Sequence, residues 1–304
     1  MTVCIAALCS WSPGETMIVG ASDRMLSAPD IKFEPPQMKI FQFFSWCVAL
    51  IAGDPFAQMS MCNATMKTIR IRGEKGRPVS TVQEVAEIFS EAFSAQRRSL
   101  AENRYLKPIG LDANSLIDRQ QDMRNEVVAD LMQSLQRSPL DCETIITGAD
   151  DTGHHIFVVN DPGDLLCADA VSFASIGSGK HHADSQFMMA RHTKNTPFHT
   201  ALLQTFAAKK RAEVTPTVGE MTDLFYIGSD RAFHELSQSI HDHLSSTFKK
   251  LEENVMQANS DADAAVAEFV TELTKPQSQA QQESEPLNQA TKKRKPKGRR
   301  GQRK

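Results

Sequence analysis

Residues 2–24, TVCIAALCSWSPGETMIVGASDR, contain the pattern from which the fold can be predicted. Two apolar runs, at 2–9 and 17–21, flank a turn-forming sequence at 12–15 that contains adjacent proline and glycine. Short runs of β-compatible residues on either side of such a turn are typical of antiparallel strands. This segment therefore predicts a β-hairpin at the start of the chain.

A second pair of apolar runs follows, at 39–44 and 46–52. Together with the first pair, it predicts four short strands that form two hairpins in an antiparallel sheet. A helix is expected to begin directly afterwards, because Asp54 is a good N-cap residue and Pro55 suits the first helical position.

Strand and helix patterns come in blocks along the rest of the chain. Thr81 and Glu84 have the spacing of a capping box, and apolar residues at helical intervals extend this second helix to about Leu100. Later segments predict strands and then helices before a last strand: strands at 143–149, 155–160 and about 165–175, helices at 182–192 and 197–212, and the last strand at 222–227. Segregated blocks predict an α+β protein with helices on antiparallel sheets.

Composition is that of a globular protein without a membrane span. Of 304 residues, 40% are hydrophobic and 23% charged, and no apolar run reaches the roughly 18 residues that a span requires. The short apolar N-terminus lacks a basic segment, so no secretory signal is expected. The six cysteines include no CxxC pair, which argues against a zinc site and predicts reduced thiols in a cytoplasmic protein.

Basic charge is concentrated at the end of the chain. Residues 292–304 contain nine lysines and arginines and no acid, which leaves 25 basic against 37 acidic residues elsewhere and a net charge near −12. A body this acidic is not expected to bind nucleic acid. The tail at 276–304 is predicted to be disordered, and it could contact nucleic acid or an acidic surface or act only as a tether.

Thr2 is the first candidate for chemistry. Removal of Met1 before a small residue would make Thr2 the N-terminal residue, with a hydroxyl nucleophile and an α-amine base on the same residue. The amine has a pKa of about 7.7–8.0, near working pH, whereas a lysine titrates near about 10.4. Such a nucleophile needs no separate histidine for its activation.

Three further features around the predicted strand ends strengthen this hypothesis. Asp23 ends the second strand, Lys39 begins the third sixteen residues later, and an Ala-Gly pair at 52–53 closes the fourth before a helix. This order resembles the proteasome β-subunit and HslV family of N-terminal-nucleophile (Ntn) hydrolases. In that family a terminal threonine, an aspartate, a lysine and an Ala-Gly pair occur in the same order.

Two later segments extend the resemblance. The sequence at 173–179 ends in Gly-Ser-Gly and looks like the segment before the family's third helix, and the sequence at 222–227 looks like its final strand. The match covers about residues 2–70 and 142–230. It consists of five short pieces in the family's order.

The resemblance implies a fold, a domain organisation and partners. The fold is a four-layer αββα sandwich of two antiparallel sheets in an Ntn-hydrolase-like domain at 2–235. Residues 101–139 are foreign to the family's core and are expected to form a helical insertion, and a helical extension at 236–275 precedes the basic tail. A homo-oligomeric ring is implied that acts on peptides or proteins, with an ATP-dependent unfoldase as a candidate partner and with no cofactor, metal or membrane.

Family roles transfer to five catalytic and three substrate-binding positions. Lys39 would favour the deprotonated Thr2 hydroxyl, and Asp23 would hold Lys39 charged and oriented. The Gly53 amide, between a strand end and a helix start, suits a developing oxyanion. The remaining implied roles are a hydrogen bond near the terminal amine from Ser178, substrate-backbone binding by Ser27, and a side-chain pocket lined by Ile51 and Pro55.

Some features depart from the family pattern or allow another interpretation. The Asp-x-x-Ser of proteasome subunits is missing at 213–218, as in HslV-type members, and Met25 stands where the family has arginine. Asp23 and Lys39 could instead form a structural ion pair, with Gly53 a plain turn glycine. The favoured hypothesis is a threonine-type peptidase. The alternatives are a non-catalytic scaffold or binding subunit, and a small-amide acylase on the same fold.

Overall fold

The computed structural model describes residues 2–28, 31–35 and 39–274 of the chain. Within these ranges the protein is α+β, with two five-stranded antiparallel sheets and one two-stranded sheet. The chain divides into two compact units, Met1–Phe248 and Lys249–Lys304. No helix in the described part is long and apolar enough to cross a membrane.

The strands build two separate large sheets. In chain order they are β1 (Cys4–Ser12), β2 (Glu15–Asp23), β3 (Leu26–Ala28), β4 (Ile31–Phe33), β5 (Ile40–Phe44), β6 (Cys47–Gly53), β7 (Cys142–Asp150), β8 (Gly153–Asn160), β9 (Asp164–Cys167), β10 (Phe173–Ile176), β11 (Thr222–Ile227) and β12 (Phe233–Glu235). The first sheet has the order β10-β1-β2-β11-β12 and the second has the order β5-β6-β7-β8-β9. Strands β3 and β4 pair only with each other in the described part of the chain.

Seven α-helices occur in the described residues: α1 (Pro55–Glu74), α2 (Val82–Ala101), α3 (Ala113–Arg119), α4 (Asn125–Gln136), α5 (Lys180–Met189), α6 (Phe198–Ala212) and α7 (Gln238–Thr274). The first begins as predicted, because Asp54 is the N-cap and its side chain accepts a hydrogen bond of 2.8 Å from the Phe56 amide. The predicted capping box is also confirmed, since the side chains of Thr81 and Glu84 each accept from the other's backbone amide.

The four strands predicted as two hairpins are present. The prediction that both hairpins lie in one sheet is wrong. The first hairpin belongs to the first sheet, whereas the runs at 39–44 and 46–52 form β5 and β6 of the second sheet. Between the two hairpins the chain forms the additional pair β3 and β4. Apolar runs identify strands, but the sheet that a strand joins depends on long-range packing that no local pattern encodes.

Two later strand predictions are also corrected. The single strand expected at about 165–175 is two strands, β9 and β10, which lie in different sheets. The chain reverses between them, where Ser172 has a φ of 72° and its amide donates to the Ala168 carbonyl at 2.9 Å. The strand predicted to be last is confirmed as β11, but β12 follows it and forms the edge of the sheet.

Three clusters of buried apolar residues show how the layers pack. The first cluster joins the first sheet to α5, α6 and the start of α7, and the second joins the second sheet to α1 and α2. The third lies between the two sheets. Alternation along β1 shows why: Ile5 and Ala7 belong to the helix-facing cluster, whereas Ala6 and Leu8 belong to the cluster between the sheets.

The segment expected to be an insertion, 101–139, is mostly helical and has a small core of its own. That core consists of three buried leucines, and two partly buried leucines of α4 pack against it: Leu106, Leu111 and Leu116, and then Leu131 and Leu135. The helical character expected for this segment is therefore confirmed, although α4 contains no fully buried residue.

Within the segment expected as a helical extension, 236–275, the structure has α7 from Gln238 to Thr274. In the first unit, Leu244 and Phe248 of α7 are buried. In the second unit, residues 249–274 are helical and exposed. The tail predicted to be disordered, 276–304, lies outside the described residues.

Candidate active site

Sheet topology brings two of the predicted site residues together. Thr2 lies two residues before the start of β1, and Asp23 ends β2. The two strands are antiparallel with Cys4 opposite Ser22, so the start of β1 lies beside the end of β2. The Asp23 amide also donates to the Val3 carbonyl at 3.2 Å.

Lys39 reaches the same point from the second sheet. It lies directly before β5, and its carbonyl accepts a hydrogen bond of 3.1 Å from the Ile51 amide in β6. Its side chain then contacts Thr2 and Asp23 of the first sheet. The site is enclosed, because Thr2 is 2%, Asp23 0% and Lys39 8% exposed.

The three side chains form one hydrogen-bonded centre. The Lys39 ammonium donates to Thr2 Oγ1 at 2.6 Å and to Asp23 Oδ1 at 3.1 Å, and it also donates to the Met25 carbonyl. The Thr2 hydroxyl in turn donates to Asp23 Oδ1. The hydroxyl oxygen faces a cation while its proton faces a carboxylate, and both contacts favour charge separation along the O–H bond.

Backbone amides orient the Asp23 carboxylate. Its Oδ1 accepts from the Val3 amide at 3.1 Å, and its Oδ2 accepts from the amides of Met25 at 3.2 Å and Gly219 at 2.8 Å. Hydrogen bonds to an ionised acceptor are roughly twice as strong as neutral ones. The main chain thus fixes the carboxylate in the orientation in which Oδ1 meets the other two side chains.

The Gly-Ser-Gly segment packs against the main chain of Thr2. The Thr2 carbonyl accepts hydrogen bonds from the Gly179 amide at 3.3 Å and from Ser178 Oγ at 3.5 Å. Gly177 has a φ of +87°, and a β-carbon there would lie 2.2 Å from the Thr2 carbonyl oxygen. Glycine is required at 177 for both its backbone conformation and this close approach.

Three residues at the site were missed by the sequence analysis. Thr217 Oγ1 lies 2.7 Å from Ser178 Oγ, and the Gly219 amide holds the carboxylate described above. Glu143 in β7 accepts a hydrogen bond of 2.7 Å from the Gly177 amide. Thr217 and Gly219 lie in a loop without a periodic pattern, and Glu143 is the second residue of β7, where no motif marks it.

The remaining predicted residues lie along the chain from β3 to α1. Ile51 is half-buried in β6 and adjoins Lys39 through the main-chain bond given above. Gly53 ends the same strand with a φ of +115°, and a β-carbon there would lie 2.1 Å from the Asp141 carbonyl oxygen. Pro55 is exposed as the first residue of α1. Ser27 lies in β3, and its side chain is outside the part that the structure describes.

Cys4, the closest other nucleophile in the sequence, is not activated. Its thiol is buried and donates to the Ile51 carbonyl at 3.5 Å. Burial raises the pKa of Cys4 to about 12, and the positive charge of Lys39 offsets this effect only in part. Because the thiolate is the nucleophilic form, Cys4 remains an unreactive thiol near neutral pH. Thr2 is therefore the candidate nucleophile of this centre.

An open cleft of about 220 Å³ lies at the other end of β6, next to Trp46. Its acidic side chains are engaged: Asp150 accepts from the Val82 amide at 2.8 Å, and Asp151 pairs with Arg231. In the described ranges no group of three or more His, Cys, Asp or Glu side chains is arranged to hold a metal ion. The Thr2 centre therefore remains the candidate site.

No protein-family model matches the chain, and no curated protein matches it either. The resemblance to the Ntn hydrolases therefore remains a prediction from the sequence motifs.

Proposed function

We propose that the chain is an N-terminal-nucleophile amide hydrolase, similar to the proteasome β-subunit and HslV family, in which Thr2 is the nucleophile after removal of Met1. One observation carries the proposal. The Lys39 ammonium lies 2.6 Å from Thr2 Oγ1, and Asp23 Oδ1 contacts both groups. A hydroxyl is a weak nucleophile until an adjacent base or cation activates it. This centre supplies the cation, and the α-amine of the mature N-terminus supplies the base.

The reaction divides into acylation and hydrolysis. In acylation, Thr2 Oγ1 bonds to the substrate carbonyl carbon while the hydroxyl proton passes to the α-amine. The C–N bond of the tetrahedral intermediate then breaks, and the leaving amine takes that proton. Water, deprotonated by the same amine, hydrolyses the acyl ester and releases Thr2. Lys39 stabilises negative charge on Oγ1 when the oxygen attacks and when it leaves.

The Gly53 amide is the proposed oxyanion donor. Gly53 is two residues after Ile51 in β6, and the Ile51 amide bonds to the Lys39 carbonyl, so both belong to the same end of the strand. Gly53 is also exposed, which leaves room for a substrate carbonyl. One such donor is worth about 3 kcal/mol of transition-state stabilisation.

The packing supports a four-layer αββα sandwich of the Ntn type as the finer description of the fold. Such an arrangement requires one core between the sheets and one core on each outer face, and three clusters of this kind are present. Face-to-face sheets also account for the contact between Thr2 and Lys39, which precede strands of different sheets.

Hydrolysis of fluorogenic peptide amides by the full chain tests the proposal, with the N-terminal mass measured on the same preparation. We expect Met1 to be absent and Thr2→Ala to lower kcat by about 10⁴-fold or more. Thr205→Ala is the matched control, because it removes the same atoms from another buried threonine, in α6.

The outcomes separate the proposal from its alternatives. Turnover that survives Thr2→Ala would contradict the role of Thr2. Retained Met1 without turnover would favour a non-catalytic scaffold, and cleavage of small acyl amides without cleavage of peptides would favour an acylase.

A further inference from the structure

Lys209 in α6 has an ammonium group that the protein encloses. Its side chain is 0% exposed, which is rare because lysine is almost never fully buried unless it is paired. The three donors of the ammonium meet three acceptors: Glu213 Oε1 at 2.5 Å, and the carbonyls of Gly219 and Glu220 at 2.8 Å each. Two of these acceptors belong to the main chain of the loop between α6 and β11.

This burial has an energetic cost. Desolvation lowers the pKa of Lys209 below its ordinary value, and the hydrogen bond to Glu213 counteracts only part of this effect. A buried cation is tolerated when its donors are satisfied, whereas an apolar side chain of similar size would carry no such cost. Because burial of the ammonium costs free energy, its specific contacts are expected to serve a function.

The loop that Lys209 holds is the loop that contacts the candidate active site. Gly219 is engaged at both of its backbone polar groups: its carbonyl accepts from Lys209 Nζ and its amide donates to Asp23 Oδ2, both at 2.8 Å. Two residues earlier, Thr217 Oγ1 lies 2.7 Å from Ser178 Oγ. A displacement of this loop would therefore reach two of the predicted site residues.

An ion pair with Glu213 does not by itself account for Lys209. Lys210 also donates to Glu213 Oε1, at 2.9 Å, from a side chain that is 22% exposed. Glu213 thus has a cationic partner without Lys209. The contacts that distinguish Lys209 are those to the carbonyls of Gly219 and Glu220.

We propose that Lys209 is a positioning residue of the Thr2 centre, whose ammonium holds the loop carbonyls so that the Gly219 amide stays against Asp23. Lys209 touches neither Thr2 nor the reacting atoms. The inference rests on the proposed function, because it gives Lys209 a role in the reaction at Thr2. Loss of the ammonium is expected to lower kcat rather than to raise KM, since it disturbs the reacting groups and leaves the substrate contacts in place.

The test compares variants of the full chain on one fluorogenic peptide amide. Lys209→Met keeps the apolar stem and removes the ammonium, and we expect it to lower kcat by about 100-fold, as small misplacements of reacting groups do. KM should stay within about threefold of the wild-type value. Lys209→Gln retains an amide donor and is expected to give an intermediate kcat.

Lys210→Met is the matched control. It removes a neighbouring positive charge from the same Glu213 carboxylate and leaves the contacts of Lys209 in place. We expect its kcat to remain within about twofold of wild type, because the contacts of Lys210 with Glu213 do not involve the carbonyls of Gly219 and Glu220. Amide hydrogen exchange of the peptide that contains Gly219 is the second readout, and it should accelerate in Lys209→Met and not in Lys210→Met.

The results distinguish the inference from the function on which it rests. If Lys209→Met and Lys210→Met had equal kcat and equal amide hydrogen exchange, the proposed role of Lys209 would be overturned. The proposed function would still hold in that case, provided that the wild type is active. An inactive wild type would overturn the proposed function and, with it, any role of Lys209 in the reaction. If Lys209→Met does not fold, Lys209→Gln carries both measurements, and wild-type kcat in that variant would overturn the inference.

Discussion

The ammonium nitrogen of Lys39 lies 2.6 Å from the hydroxyl oxygen of Thr2, although 37 positions separate the two residues in the chain. Thr2 precedes a strand of the first sheet and Lys39 precedes a strand of the second, so the contact depends on the packing of the two sheets against each other. A cation at this distance stabilises negative charge on the oxygen, and it acts more strongly in an enclosed site than in water. The proposed reactivity of Thr2 follows from this contact.

Substitution of Lys39 is expected to remove activity even when the positive charge is kept. An ammonium is a compact point charge, whereas a guanidinium is a wide planar fork that does not fit between Thr2, Asp23 and the Met25 carbonyl. We expect Lys39→Met and Lys39→Arg each to lower kcat for peptide hydrolysis by about 100-fold or more. Thermal unfolding of both variants controls for misfolding, and a Lys39→Arg protein with full activity would reduce Lys39 to a structural ion-pair partner.

Gly177→Ala is expected to damage the site by moving Thr2. A β-carbon at 177 would lie 2.2 Å from the Thr2 carbonyl oxygen, whereas one at Gly14 would meet no atom within 4 Å. The two glycines have similar φ values, +87° and +85°, so Gly14→Ala measures the backbone cost alone, about 1 kcal/mol.

We predict that Gly177→Ala lowers kcat severely. We also expect it to lower the free energy of unfolding by more than Gly14→Ala does. Urea unfolding and peptide hydrolysis of the two alanine variants provide the comparison. Equal kcat and equal stability would show that Gly177 does not constrain Thr2.

Alkylation of the folded protein's cysteines by iodoacetamide is expected to leave its peptide hydrolysis unchanged. Five of the six cysteines are buried, and only Cys167 is exposed. Burial raises the pKa of Cys4 to about 12, so its thiol should resist iodoacetamide near pH 8 although it is two residues from Thr2.

Peptide mapping should therefore find the carbamidomethyl group on Cys167 of the folded protein, with the rate of peptide hydrolysis unchanged. Cys167→Ser serves as the control and should abolish labelling. Inactivation in parallel with modification of Cys4 would instead point to a cysteine nucleophile.

The capping box of α2 should give stability that depends on pH. The Ser80 amide donates to Glu84 at 2.9 Å and lowers the pKa of Glu84, an effect that burial partly opposes. A carboxylate with a lowered pKa stabilises the fold above its unfolded pKa, and this contribution is lost as the pH falls through the folded value.

Glu84→Gln should accordingly lower the free energy of unfolding by about 0.5 kcal/mol at pH 7, because it removes a negative charge at a helix N-terminus. This difference from wild type should shrink below about pH 4. Glu91→Gln, at an exposed position later in the same helix, is the control for the loss of a carboxylate away from the capping box. Urea unfolding across this pH range measures both. A deficit that grows on acidification would contradict the assignment.

Much of the candidate active site could be predicted from the sequence, because its main residues lie next to the ends of predicted strands. Thr2, Asp23 and Lys39 each adjoin a strand that an apolar run marks, and antiparallel pairing places the first two side by side. What the local pattern lacks is the assignment of strands to sheets. The run at 39–44 looks the same whether it extends the first sheet or starts a second one, because either position buries one face.

The contacts of the loop between α6 and β11 and the burial of Lys209 could not be predicted from the sequence, for a different reason. Lys209 is followed by Lys210 and Arg211, a sequence typical of an exposed helix end. It is buried because the chain after α6 folds back and offers its carbonyls to the ammonium. Thr217 and Gly219 reach the site through that same loop, whose course depends on tertiary contacts rather than on periodicity.

The central claim, that Thr2 is an N-terminal nucleophile, is tested most directly by mass spectrometry after reaction with a peptide epoxyketone. This reagent carries two electrophiles, a ketone that the hydroxyl of a terminal threonine can attack and an epoxide that its α-amine can open. We predict loss of Met1 and one adduct on the N-terminal peptide of the wild-type chain, no adduct in Thr2→Ala, and much slower labelling in Lys39→Met. A wild-type chain that retains Met1, or whose free Thr2 stays unmodified, would contradict the claim.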